Sequence, residues 1–242
     1  MATAAQSEEI ARRYGLAAIP ESVLRLTRLV AGQDADLGLV AKVIAQDKDL
    51  SNRLLRLAHP RATSPLEASP DAIETALMRT GMGSIFVLAM GDLLMRAVLK
   101  TFHTMLGIEL QWVVSPGAPT CSSPQVVSEV AFSGRASGRV FLHQSEEASR
   151  TITTRMLGLG ANDEISQGEI EDAIAEAANM GAGNFLSNLC DAGLPCKLSA
   201  PKTARLESFQ LRPGPAGSRE QMVFRSPELV TFVDICVDEW NF

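Results

Sequence analysis

Four residues late in the chain have types and spacings that could do chemistry: Asp172, Glu176, Asn179 and Gly183. They are separated by steps of four, three and four residues. At about 100° per residue, such steps fall on one face of an α-helix. That face would offer two carboxylates, an amide and a gap where a side chain is missing. A carboxylate can pair with a cation, and an amide can both donate to and accept from a water molecule. The ordinary reading of such a row is the solvated side of an amphipathic helix. Asn179 argues for more, because asparagine competes for backbone hydrogen bonds and is a poor choice in mid-helix.

The elements that would position this row can be read on either side of it. Ser166-Gln167-Gly168-Glu169 forms a capping box and predicts a helix to about Leu189. Ile170, Ile174, Ala177, Gly181, Phe185 and Asn188 share its other face, where small residues permit close packing against a core. Upstream, Val126 to Phe132 and Arg139 to His143 read as strands around a Ser133–Gly138 hairpin turn. Ser145 opens a helix to about Leu157, stopped by Gly158. Downstream, strands are expected near Ser208–Leu211, Gln221–Phe224 and Val230–Val237. The last is long, apolar and alternating, a candidate sheet edge. Interleaved strands and helices indicate an α/β (α+β) domain with helices packed on a mixed or antiparallel sheet.

The first hundred residues read differently, as an all-α N-terminal bundle. Pro20-Glu21-Ser22 opens one helix, Leu37 to Gln46 is a second, and Asp49 is placed to cap a third over Leu50–Ala58. Pro60 to Pro70 reads as a loop. A helix over Ala72–Thr80 is broken at Gly81-Met82-Gly83, and a long one follows from Ser84 to Leu106. Short helices of this kind persist only by burying their apolar faces together.

Composition narrows the function classes. The 242 residues carry a net charge of -6, with +1 in residues 1–104 and -7 in residues 105–242. No basic block suggests nucleic acid as a partner, and the acidic half disfavours any polyanion. The N-terminus lacks a signal-peptide core. The longest apolar stretch, Ile85–Met90, is too short to span a bilayer and is followed by Asp92 and Arg96. A cytoplasmic protein without membrane insertion is therefore expected. Cys121, Cys190, Cys196 and Cys236 form no CxxC pair and are expected to be free thiols. His59, His103 and His143 match no zinc or triad pattern and read as ordinary surface or partly buried imidazoles.

Two resemblances add to this reading. IPESVLRLTRLVAG, DLGLVAKVIAQDKDLSNRLLRLAH and DAIETALMRTGMGSIFVLAM, over about residues 18–90, resemble the N-terminal bundle of the HDOD family, the HD-related output domain. A full HDOD domain continues with further helices where this chain changes character. No metal-binding His-Asp pair of the hydrolase relatives is present, so the resemblance implies an input or docking module. From about residue 88 the chain resembles the CheX/CheC family of chemotaxis phosphatases. Asp172-Ala-Ile-Ala-Glu176-Ala-Ala-Asn179 matches the family's helix signature, flanked by VVSEVAFSGRASGRVFLHQ and LSAPK. Pro201 follows Asn179 one residue sooner than the family spacing. One such helix is found, as in the single-site CheX type.

The division implied is residues 1–87 for the HDOD-like bundle and 88–242 for the CheX-like domain. The function implied is hydrolysis of the aspartyl phosphate on a receiver domain of a CheY-like response regulator. The resemblance assigns Asn179 to the attacking water and Glu176 to the receiver's lysine. Asp172 would sit at the edge of the contact, with Gly183 leaving room for it. No cofactor or metal belongs to this chain, since the divalent metal is expected in the receiver. A homodimer joined through sheet edges is also implied. Two other readings stay open: a non-catalytic receiver-binding or scaffold module, and a protein whose helical half carries the main biology by recruiting partners.

Overall fold

A computed structural model describes residues 9, 11–32, 36–59, 69–113, 125–160, 163–207 and 219–240. From residue 9 to residue 106 the described chain contains helices and no strand. α1 (Glu21–Val30) follows Pro20, and α2 (Leu37–Ala45) is capped by the Asp36 carboxylate, which accepts from Gly38 N–H at 2.8 Å. α3 runs from Lys48 to Ala58. Its cap is Asp47, two residues before the expected Asp49, because Asp47 takes the extended backbone that lets its carboxylate accept from Asp49 and Leu50 N–H.

α4 (Pro70–Leu106) begins at a Ser69 cap and is kinked where expected, at Gly81, whose φ of 76° only glycine adopts without strain. It is long and apolar enough to cross a membrane, but 83% of its most apolar window is buried inside the protein, as in a core helix. Its first part packs with α1–α3, and its second part continues under the sheet against the remaining helices. The buried core is correspondingly one cluster, from Leu26, Ile44 and Leu54 through Phe86 and Phe102 to Phe132 and Phe185.

Beyond α4 the strands are β1 (Gln111–Val113), β2 (Gln125–Gly134), β3 (Ala136–Ser145), β4 (Cys196–Leu198), β5 (Lys202–Leu206), β6 (Arg219–Arg225) and β7 (Val230–Trp240). The helices are α5 (Glu146–Leu157) and α6 (Gln167–Asp191). The sheet is antiparallel, ordered β1-β6-β7-β3-β2-β4 with β5 also paired to β2. Both strands of the β2–β3 hairpin are longer, and its turn tighter, than the loop-forming residues suggest.

Two expectations change. β7 is not an edge: it lies between β3 and β6, hydrogen-bonded to both. Alternation identified its buried face but could not say who flanks it. The edge positions fall instead to the short β1 and to the half-exposed β4 and β5 beside β2. The strand expected at Ser208–Leu211 lies outside the described residues, and the strand that pairs with β2 is Lys202–Leu206.

Candidate functional site

α6 is held at its N-terminus and along its back, and these restraints decide what its front presents. Ser166 Oγ accepts from the Glu169 N–H at 3.3 Å, and the Ser166 N–H donates to Glu169 Oε2 at 2.7 Å. The Ser166 hydroxyl, with the Ser166 N–H, holds the Glu169 carboxyl below its ordinary range. Ile170, Ile174, Ala177, Gly181 and Phe185 are buried, with Phe185 edge-on to Phe132 at 5.6 Å. Asn184 donates to Thr101 Oγ1 at 2.9 Å and Asn188 to the Leu93 carbonyl at 2.8 Å, both on α4. These bonds fix the rotation of α6 about its axis. They also give Asn188, expected on the core face, its polar partner.

The front of α6 carries the row expected from the sequence. Asp172 and Glu176 are exposed, while Asn179 and Gly183 are half-exposed. Asn179 Nδ2 lies 3.5 Å from Glu176 Oε2, at the outer limit of a hydrogen bond. No other described hydrogen bond or ion pair engages either side chain. A Cβ added at Gly183 would meet nothing within 4 Å, so this part of the helix is open ground. An amide and a carboxylate side by side, without structural duties, can reorganise around an incoming group. Among the described residues, no three His, Cys, Asp or Glu side chains converge in a way that could hold a metal ion.

Two buried polar clusters lie elsewhere, and the sequence reading missed both. Arg53 on α3 donates to Asp92 at 3.2 Å, to the Leu88 carbonyl at 3.0 Å and to Glu220 on β6 at 2.6 Å. Arg96 donates to the other Asp92 oxygen at 2.8 Å. Burial alone would lower the Arg53 pKa, but Glu220 and Asp92 outweigh it and hold the guanidinium above its ordinary value. Burial pushes the Glu220 carboxyl up, against the pull of Arg53. Gly91 makes the approach possible, since a Cβ there would collide with the Glu220 carboxylate. In the second cluster, Asp234 is fully buried, 2.8 Å from His143 Nε2 and 2.6 Å from the Arg219 guanidinium. His143 is therefore no surface imidazole. For the first cluster the available signal was Asp92 and Arg96, four residues apart in the otherwise apolar stretch Ile85–Leu99 of α4.

Comparison with known proteins finds two family models, which meet between residues 123 and 126. Residues 126–224 match the family model described as "Chemotaxis phosphatase CheX", and residues 16–123 match the HDOD domain model. A comparison with curated proteins found no match. Among solved structures, chemotaxis protein CheX from Vibrio vulnificus aligns with a TM-score of 0.53 at 21% identity, over 62% of this chain and 96% of that one. A CheC-like superfamily protein from Shewanella aligns with a TM-score of 0.54 at 20% identity, over 62% and 97%. FliY of Thermotoga maritima aligns with a TM-score of 0.50 at 18% identity, over 65% and 91%. At these identities the likeness is one of fold.

Proposed function

We propose that this chain, an HDOD-type helical half joined to a CheX-family domain, dephosphorylates the aspartyl phosphate of a response-regulator receiver domain. The observation that carries the reading is the pairing of Glu176 and Asn179 on the open face of α6, 3.5 Å apart and otherwise unengaged. The family match over residues 126–224 supports it.

The chemistry asks little of such a surface. Water attacks phosphorus in line, the P–O bond to the receiver's aspartate breaks, and the products are inorganic phosphate and the free carboxylate. The divalent metal that neutralises the phosphoryl oxygens is the receiver's own. The missing part is a positioned water. The Asn179 amide, accepting from that water and donating to its oxygen, fixes the line of attack without acting as a base. Glu176 pairs with the receiver lysine beside the phosphoryl group and anchors α6 in the cleft. Asp172 borders the contact one turn earlier, and Gly183 leaves room for the receiver surface one turn later. In this reading the division falls near residue 87, two copies of the chain associate through sheet edges, and the site lies on α6 alone.

The test is loss of phosphate from a panel of phosphorylated receivers of the same cell, with wild type and Asn179→Ala compared. Acceleration by wild type and not by the variant supports the enzyme. Tight receiver binding with no acceleration by wild type makes the chain a non-catalytic receiver-binding module.

A further inference from the structure

The helical half and the sheet do not close completely on one another. Between α3 and α4 on one side and β1 and β6 on the other lies a cavity of about 250 Å³. None of its lining residues belongs to α6, so it is separate from the Glu176–Asn179 row.

Its lining is divided by chemistry. Three guanidinium groups, those of Arg53, Arg56 and Arg219, face one carboxylate, that of Glu220. Arg53 and Arg219 are partly committed, to Asp92 and Glu220 and to Asp234. Arg56, exposed at the mouth, has no acceptor among the described residues. Arg53 Nε and Gln221 Nε2 are buried without an acceptor, and Glu220 Oε2 is buried without a donor. Among the side chains lining the cavity, three cationic groups stand against one carboxylate, a balance that favours an incoming anion. The rest of the lining includes the apolar Leu57, Val87 and Val223 and the Trp112 ring. That ring lies 5.6 Å from the Arg53 guanidinium carbon, so a flat surface and a cationic fork meet in one place.

We propose that this cavity binds a small organic anion, a single phosphate or carboxylate group carried on a flat apolar body. Guanidinium forks donate to the two oxygens of such a group in matched geometry. Trp112 and the aliphatic wall cover the body, as aromatic residues do in small-molecule sites. The volume lies just below the roughly 300–1,000 Å³ usual for such sites. That size suits a nucleoside monophosphate or an aromatic acid and leaves out dinucleotides and peptides. A ligand here would touch both halves of the chain at once. The inference does not depend on the phosphatase reading.

The experiment uses the full chain, with calorimetric titration and thermal unfolding as readouts. AMP and GMP form the phosphate arm, and indole-3-acetate and phenylpyruvate form the carboxylate arm. Adenosine supplies a body without the acid, and inorganic phosphate the acid without a body. We expect saturable binding with a raised unfolding temperature in one arm, and neither effect from the two controls. Arg56→Ala, at the exposed mouth, weakens that binding by about tenfold or more, in line with losing one charge-assisted contact. It leaves the unfolding temperature of the unliganded chain unchanged. Arg56→Glu abolishes binding. Absence of binding in both arms, binding that survives Arg56→Glu, or inorganic phosphate binding as well as the organic anions would overturn the proposal.

Discussion

On α6, Glu176 and Asn179 stand at the surface three residues apart, joined by one contact of 3.5 Å. Under α4, Arg53, Asp92, Arg96 and Glu220 are joined by bonds of 2.6 to 3.2 Å, drawn from positions as far as 167 residues apart. Both groups are polar and both lean on a long helix. The first satisfies nothing in the fold, so evolution is free to spend its chemistry on a partner. The second pairs charges already removed from water, so most of its chemistry goes into holding α3, α4 and β6 together. Polar residues on a helix thus divide by what would be left stranded if one were deleted.

The largest effect should follow from striking the buried group. Asp92→Ala strands the guanidinium groups of Arg53 and Arg96, and removing one partner of a buried ion pair destabilises by about 3–5 kcal/mol. Chemical denaturation should show that loss. A loss under about 1 kcal/mol would mean that water reaches the cluster and that the contrast with α6 is false.

The same contrast explains what could be read in advance. The α6 row was legible because its spacing is local: steps of three and four residues place side chains together whatever the tertiary fold. The capping box at Ser166, the hairpin and the Gly81 break were legible for the same reason. Partners distant in sequence were not. Nothing near Glu220 announces Arg53, and nothing near His143 announces Asp234. β7 shows the limit within one element: its alternation gave the faces of the strand, while its place in the sheet depends on strands that pair from elsewhere.

Next in size is Asn179→Ala. If the amide positions water, receiver dephosphorylation should slow by about ten- to a thousandfold. Stability should stay within about 0.5 kcal/mol of wild type, as for other exposed positions. A stability loss well above that would place Asn179 with the buried group. If Glu176 pairs with a receiver lysine as proposed, Glu176→Ala should act on association, raising the receiver concentration needed for half-maximal rate by about tenfold. A lower maximal rate at saturating receiver would instead give Glu176 a part in the chemical step.

The smallest effect is the sharpest, because it sets two glycines of one helix against each other. Gly181 faces inward and Gly183 outward, yet a Cβ at either would meet nothing within 4 Å. Close packing therefore demands glycine at neither position. Gly181 borders a small apolar void of about 20 Å³ between α6, α4 and the sheet. Gly181→Ala should stabilise the chain by about 1 kcal/mol, from helix propensity and reduced freedom of the unfolded state. That corresponds to roughly 2–4 °C in unfolding temperature for a chain of this size. Gly183→Ala should give a similar gain for the same reason. Receiver turnover should separate the two: Gly181→Ala retains it, while Gly183→Ala lowers it if, as proposed, the receiver docks over this turn. If Gly183→Ala stabilises and leaves turnover intact, the receiver does not reach this turn, and the contact is confined to Asp172, Glu176 and Asn179.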